Sequence, residues 1–319
     1  MKYTTALVLL ITLSFTLTSL TESTLSLELS ELEKQYPEEK YEMVKLSDGL
    51  THYQDLGSKA APAIILIHGV SGPLQVWDKV VDGLQNAGYR VVRYDIYGRG
   101  FSERLDGPYD LDIYIRQLHQ LAVHLGLQRF RVVGSSMGAI IASQYANSYP
   151  QHVDQVALIG PAGFPIQVPW LAKLRDVPIL GHLTFTIFGE SIIFEQNKKY
   201  FVYPESHSEF LKYFRGQLNV AGTSKAILST MRNVPVTDFE SGYRNLASQS
   251  KPVAVIWGRE DATFPYHNHN LLKKWIPDAQ MLTIKDAAHL PQYEHPEKVL
   301  EGLISFFASE SDGANDFSR

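Results

Sequence analysis

The stretch Phe130-Arg131-Val132-Val133-Gly134-Ser135-Ser136-Met137-Gly138-Ala139-Ile140-Ile141-Ala142 constrains this chain more than any other. A short β-branched run meets Gly-Ser-Ser-Met-Gly, and small and apolar residues follow at helical spacing. The pattern predicts a buried strand, a very tight turn and a buried helix, with Ser136 at the apex. A Cβ at Gly134 or Gly138 would crowd such a turn, which explains the glycines on either side. Ser136 Oγ is thereby lifted to the amino end of a helix, where the helix dipole and free N–H groups favour developing negative charge. Taken alone, Gly-x-Ser-x-Gly also describes a glycine-rich loop. The strand before it and the helix after it favour an active-site elbow.

The remainder alternates in the same way. Ala63-Ile64-Ile65-Leu66-Ile67 is continuously apolar, as in a strand buried on both faces, and runs into His68-Gly69-Val70-Ser71-Gly72-Pro73. Val76, Val80, Val81 and Leu84 mark a helix, Tyr89 to Tyr94 a strand, and Leu111 to Leu125 a helix. Val156 to Pro161, Pro252 to Trp257 and Met281 to Ile284 read as further strands. Helices are expected near Asn268 to Trp275 and over Pro296 to Ala308. From Tyr41 to Asp55, two short strands flank a Ser47-Asp48-Gly49 turn, an opening hairpin. The alternation predicts an α/β fold, a mostly parallel sheet with helices on both faces and a ligand site beyond the carboxyl ends of the strands. Residues 46–161 and 250–308 would form this core. Residues 162–249 break the pattern with Phe164, Trp170, Phe185, Phe188 and Phe194, and carry helical stretches over 208–218 and 224–231. They read as a helical cap over the site, and residues 309–319 as a loose polar tail.

A serine hydroxyl needs a base, and that base an orienting acid. Trp257-Gly258-Arg259-Glu260-Asp261 puts Asp261 just past a strand end, on the side of the sheet where Ser136 sits. Lys285-Asp286-Ala287-Ala288-His289 does the same for His289. Glu260 and Asp286 are the rival acids, with Asp261 preferred because its loop leaves toward Pro265. The backbone amides of Met137 and Val70 are the candidate donors to an oxyanion. His68 is expected to brace the glycine turn, with Asp95 and Arg99 as structural turn residues. His267-Asn268-His269 lacks a supporting carboxylate cluster, so no metal and no cofactor is expected.

The 319 residues are 45% hydrophobic with a net charge of −5, which gives no basic footprint for nucleic acid. With no cysteine, thiol nucleophiles, thiolate metal sites, disulfides and lipoprotein attachment are excluded. Ala6 to Leu17 has the length of a signal-peptide core and falls short of the ~20 apolar residues of a membrane span. Residues 1–21 are therefore expected to direct export to the periplasm or medium. The alternative is an uncleaved membrane anchor over residues 4–20, because only Lys2 and the amino terminus are positive. Leu25, Leu29, Leu32 and Tyr36 predict an amphipathic helix within an extension over residues 22–45.

His68-Gly69, Asp95-x-x-Gly98-x-Gly100-x-Ser102, Gly134-x-Ser136-x-Gly138, Gly258-x-x-Asp261 and Ala-Ala-His289-Leu-Pro together resemble the α/β-hydrolase superfamily over about Leu46 to Ala308. The nearest subgroup is the capped serine esterases and monoacylglycerol-lipase-like enzymes. The resemblance implies an eight-stranded sheet, a Ser136–Asp261–His289 triad, and a small hydrophobic ester as substrate. Carbon–carbon bond hydrolases share the outline, and a non-catalytic receptor for a small ligand could keep the fold. Epoxide hydrolases and haloalkane dehalogenases carry an aspartate at the elbow, so Ser136 argues against both.

Overall fold

The computed structural model describes residues 42–165 and 177–309 together with Lys34. β1 (Glu42–Lys45) and β2 (Leu50–Leu56) form the expected antiparallel hairpin. β2 lies antiparallel to β4 (Arg90–Tyr94), which pairs in parallel with β3 (Ala63–Ile67). From β3 the sheet continues in parallel through β5 (Phe130–Ser135), β6 (Val153–Ile159), β7 (Val253–Gly258) and β8 (Gln280–Ile284). The eight strands follow the order β1-β2-β4-β3-β5-β6-β7-β8. β6 begins at Val153 rather than Val156, because Val153 pairs with Phe130 across an irregular step in the ladder.

Period-two alternation divides the central strands between two cores. Ile65, Ile67, Val92, Tyr94 and Val132 point to one face, and Ile64, Leu66, Val91 and Val133 to the other. A large apolar side chain contributes about 1.5–3 kcal/mol when fully buried. A one-residue slip would reverse every one of them, so burial on both faces pins the register. α1 (Asp78–Asn86) and α10 (Pro296–Ala308) cover the second face through Val80, Leu84, Val299, Leu303 and Phe306. α2 (Leu111–His124) and α3 (Met137–Ser148) cover the first through Tyr114, Leu118, Ile140 and Ile141. Asp110 starts α2 by accepting the Ile113 amide at 3.0 Å.

Between β6 and β7 lie α4 (Pro178–Lys198), α5 (Ser208–Leu218), α6 (Thr223–Asn233) and α7 (Glu240–Ser248). α5 and α6 occupy the two stretches expected to be helical. α4 and α7 went unread. α7 packs on α3 and on α8 (His269–Trp275), and buries Tyr243 and Leu246 in the first core. The chain has thus returned to the sheet before residue 249. The remaining helix, α9 (Pro291–Glu294), precedes α10.

The expected signal or anchor over residues 1–21, the amphipathic helix from Leu25 to Tyr36 and the tail after Ser309 lie outside the described residues, Lys34 apart. Among the described residues no helix is long and apolar enough to cross a membrane.

Candidate active site

Ser136 stands between β5 and α3 with φ 58° and ψ −121°, a sparsely populated conformation for a side chain with a Cβ. The neighbouring glycines let the turn exist. A Cβ on Gly134 would run into the Gly138 carbonyl, and one on Gly138 into the Ile67 carbonyl of β3. Ser136 is the first residue of the α3 cap, yet no side chain caps that helix. Of its leading N–H groups that of Ala139 donates to the Ser136 carbonyl at 3.0 Å.

β7 ends at Gly258 and β8 at Ile284, and the loops that follow bring Asp261 and His289 together. His289 Nδ1 donates to Asp261 Oδ2 at 2.8 Å, and both side chains are buried. The other oxygen, Asp261 Oδ1, accepts the amides of Thr263 at 2.8 Å and Phe264 at 3.0 Å, so the carboxylate is clamped in one orientation. Glu260 and Asp286, the rival acids, are exposed on the surface. With its Nδ1 proton held by the carboxylate, the imidazole presents Nε2 as a lone-pair nitrogen. Among the described residues Nε2 has no hydrogen-bond partner although it is buried, and His289 lines the same cavity as Ser136.

The loop carrying His289 is fastened from outside the sheet. The His289 and Leu290 amides both donate to the Tyr200 carbonyl, at 3.0 and 3.2 Å, just beyond α4. Glu294 completes the clasp by accepting the Ala288 amide at 2.6 Å and the Val202 amide at 2.7 Å. Burial raises the Glu294 carboxyl above its ordinary range, against the pull of those two amides.

On the opposite wall the His68–Gly72 loop passes close to the elbow. Among the described residues neither the Val70 nor the Met137 amide has an acceptor within the protein. Arg99 holds the Val70 peptide by its carbonyl, through Nε at 2.7 Å, while Nη2 reaches Thr230 Oγ1 of α6 at 2.8 Å. The role of Arg99 at this loop was not legible in the sequence, since its partners lie 29 and 131 positions away. Asp95 anchors the next turn by accepting the Leu74 amide at 2.8 Å, the Phe101 amide at 2.9 Å and His52 Nδ1 at 2.7 Å. Burial opposes its charge, but His52 and these donors hold the carboxyl down at about 2.

His68 braces the glycine turn as expected. Its Nδ1 donates to the Gly69 carbonyl at 2.8 Å and its Nε2 accepts the Ile96 amide at 3.0 Å, a pattern only the neutral ring can satisfy. Burial lowers its pKa from 6.5 to about 4, with Asp95 pulling the other way. The unfolded chain therefore takes up a proton near pH 6.5 that the folded one refuses until about pH 4. Stability falls as pH drops through that window, by roughly 3 kcal/mol from this ring, and the loss levels off below it. A His68→Gln variant, whose amide can make both hydrogen bonds, should lose that part of the slope. Urea unfolding of the two proteins between pH 7 and pH 4 checks it, and parallel pH profiles would refute it.

The cavity at Ser136 is walled by Val76, Phe210, Phe214 and Leu290 and has room for about one water molecule, about 20 Å³.

A family model described as the alpha/beta hydrolase fold matches residues 62–296. A 2-hydroxy-6-oxononadienedioate/2-hydroxy-6-oxononatrienedioate hydrolase of Burkholderia vietnamiensis is 30% identical over 268 residues, 80% of this chain and 90% of that protein. Lipase 1 of Psychrobacter immobilis is 26% identical over 260 residues, 80% of this chain and 79% of the lipase. Among solved structures, the enol-lactonase of Burkholderia xenovorans superposes with a TM-score of 0.73 at 21% identity, over 84% of this chain and 100% of that one.

Proposed function

The chain belongs to the α/β-hydrolase fold family, and from that premise we propose that it is a serine hydrolase of carboxylic esters, with short to medium acyl esters or monoacylglycerols as substrates. The observation that carries the reading is the buried His289–Asp261 pair, whose open Nε2 belongs to the cavity that Ser136 also lines. Similarity to a lipase supports the ester as substrate class.

Ser136 Oγ attacks the ester carbonyl as His289 Nε2 takes its proton, and Asp261 holds the imidazolium that forms. The carbonyl oxygen becomes an oxyanion within reach of the Val70 and Met137 amides. As the tetrahedral adduct collapses, the alkoxide leaves with the proton from Nε2, giving an alcohol and an acyl-serine. Water, deprotonated by the same nitrogen, attacks the acyl group in turn. The second collapse releases the acid and restores the Ser136 hydroxyl.

In this reading α4, α5 and α6 belong to the cap, and Phe210 and Phe214 supply the apolar wall that an acyl chain needs. Similarity to the 2-hydroxy-6-oxononadienedioate hydrolase supports a second reading, hydrolysis of a carbon–carbon bond in a diketone by the same three side chains.

A panel of esters graded in acyl length together with a vinylogous diketone, read by turnover and by intact mass of the covalent adduct, separates the two. Ester cleavage with an acyl adduct on Ser136 is expected. Diketone turnover without ester cleavage would replace the esterase reading. Failure of an organophosphonate to label Ser136 would end the covalent mechanism altogether.

A further inference from the structure

Asn197, in the last turn of α4, lines the cavity beside Ser136 and His289 and is 2% exposed. Its Oδ1 accepts the Ser71 hydroxyl at 3.1 Å, and Ser71 Oγ lies 3.2 Å from the Tyr200 hydroxyl. Ser71 has one proton and gives it to Asn197. Tyr200 must then be the donor in the second contact, and the hydrogen bonds run in one direction, Tyr200 to Ser71 to Asn197. Burial pushes the Tyr200 hydroxyl up to about 12, so it remains a donor across the neutral range. The chain ends on the Asn197 amide nitrogen, whose Nδ2 is buried and has no partner among the described residues.

An unpaired amide donor in an apolar cavity is destabilising, and such groups call for an explanation. Here the explanation is at hand, because Asn197 lines the chamber in which the proposed chemistry takes place. Resting on the esterase reading, we propose that Asn197 Nδ2 donates to an uncharged oxygen of the substrate other than the scissile ester, making Asn197 a specificity-determining residue. The preferred substrates are then esters bearing a hydroxyl, ether or carbonyl oxygen near the reacting group, ahead of plain alkyl esters. A carboxylate is disfavoured, since among the described residues neither lysine nor arginine lines the cavity to balance its charge. The oxygen can sit in the alcohol part, as in a monoester of a polyol, or in the acyl part, as in an oxygenated acid.

Acceptor-only probes of matched shape test this and tell the two placements apart. One pair is 2-methoxyethyl butyrate against butyl butyrate, and the other is phenyl methoxyacetate against phenyl butyrate. Intrinsic reactivity differs within a pair, so the quantity read is the kcat/KM ratio of ether to alkyl ester in the wild type divided by that ratio in Asn197→Leu. In at least one pair it is expected to be roughly 3- to 10-fold. The pair that responds locates the oxygen. Asn197→Asp keeps the acceptor for Ser71 but puts a second acceptor where the donor was, and it should penalise the ether further in the same pair. This variant also carries the test if the leucine variant melts early or fails to fold.

A quotient near one in both pairs, in both variants, would overturn the assignment while leaving the esterase reading intact. No hydrolysis of any probe by the wild type, with no organophosphonate adduct, would overturn both at once. That outcome is recognised from the wild type alone.

Discussion

Replacing Ser136 with alanine is expected to lower ester turnover by roughly five to six orders of magnitude, with little change in thermal stability. In the proposed mechanism Oγ is the atom that forms the acyl bond. Stability is spared because the hydroxyl does not cap α3, and because alanine at φ 58° carries the same Cβ and so the same backbone strain as serine. A residual rate of about 10³–10⁴ over water would remain, supplied by substrate binding and the Val70 and Met137 amides. Turnover and a melting curve on the same preparation decide the matter. Activity within tenfold of the wild type would remove Ser136 from the mechanism.

Asp261→Asn should cost about 10⁴ in kcat, for a reason visible in the hydrogen bonds. The Thr263 and Phe264 amides both donate to Oδ1, so in the variant the carboxamide oxygen stays there. Its NH₂ must then face His289 Nδ1, where the carboxylate oxygen had accepted a proton at 2.8 Å. Two donors cannot face each other. The imidazole changes tautomer, accepts at Nδ1 and carries its proton on Nε2, where it can no longer take one from Ser136. Glu260→Gln, at the exposed position next to Asp261, serves as the control and should keep its kcat. Loss of activity in Glu260→Gln with activity retained in Asp261→Asn would exchange the two roles.

Where the sequence was legible, a local pattern carried the information. Ala63–Ile67 and Val253–Gly258 are buried along their whole length, and unbroken apolar runs announce such strands. The elbow showed because two glycines must bracket a backbone that three elements approach closely. Asp261 and His289 showed because each directly follows a strand and parallel strands share one ligand end. α4 was hidden for the opposite reason. It buries Phe185 and Ile193 but exposes Ile187, Phe188 and Ile192, so no polar face marks its helical period. α7 left a fainter trace, Tyr243 and Leu246 on one side with a Glu240–Arg244 pair at 2.7 Å on another. Contacts such as Ser71 to Asn197, 126 positions apart, carry no local signature at all. They depend on how the insertion folds back over the sheet.

The clasp between the residues just after α4 and the loop of the catalytic-base candidate has a bearing on descent and on engineering. Because the carbonyl of Tyr200 holds the backbone at His289 and Leu290, transplanting the whole insertion from a relative would bring a foreign mount for the imidazole. Successful chimaeras should therefore join beyond Val202, leaving the mount native and exchanging α5 and α6 alone. Natural diversification in such a protein has the same freedom and the same boundary: variation is cheap in the apolar wall of the cavity and costly in the strut that mounts His289.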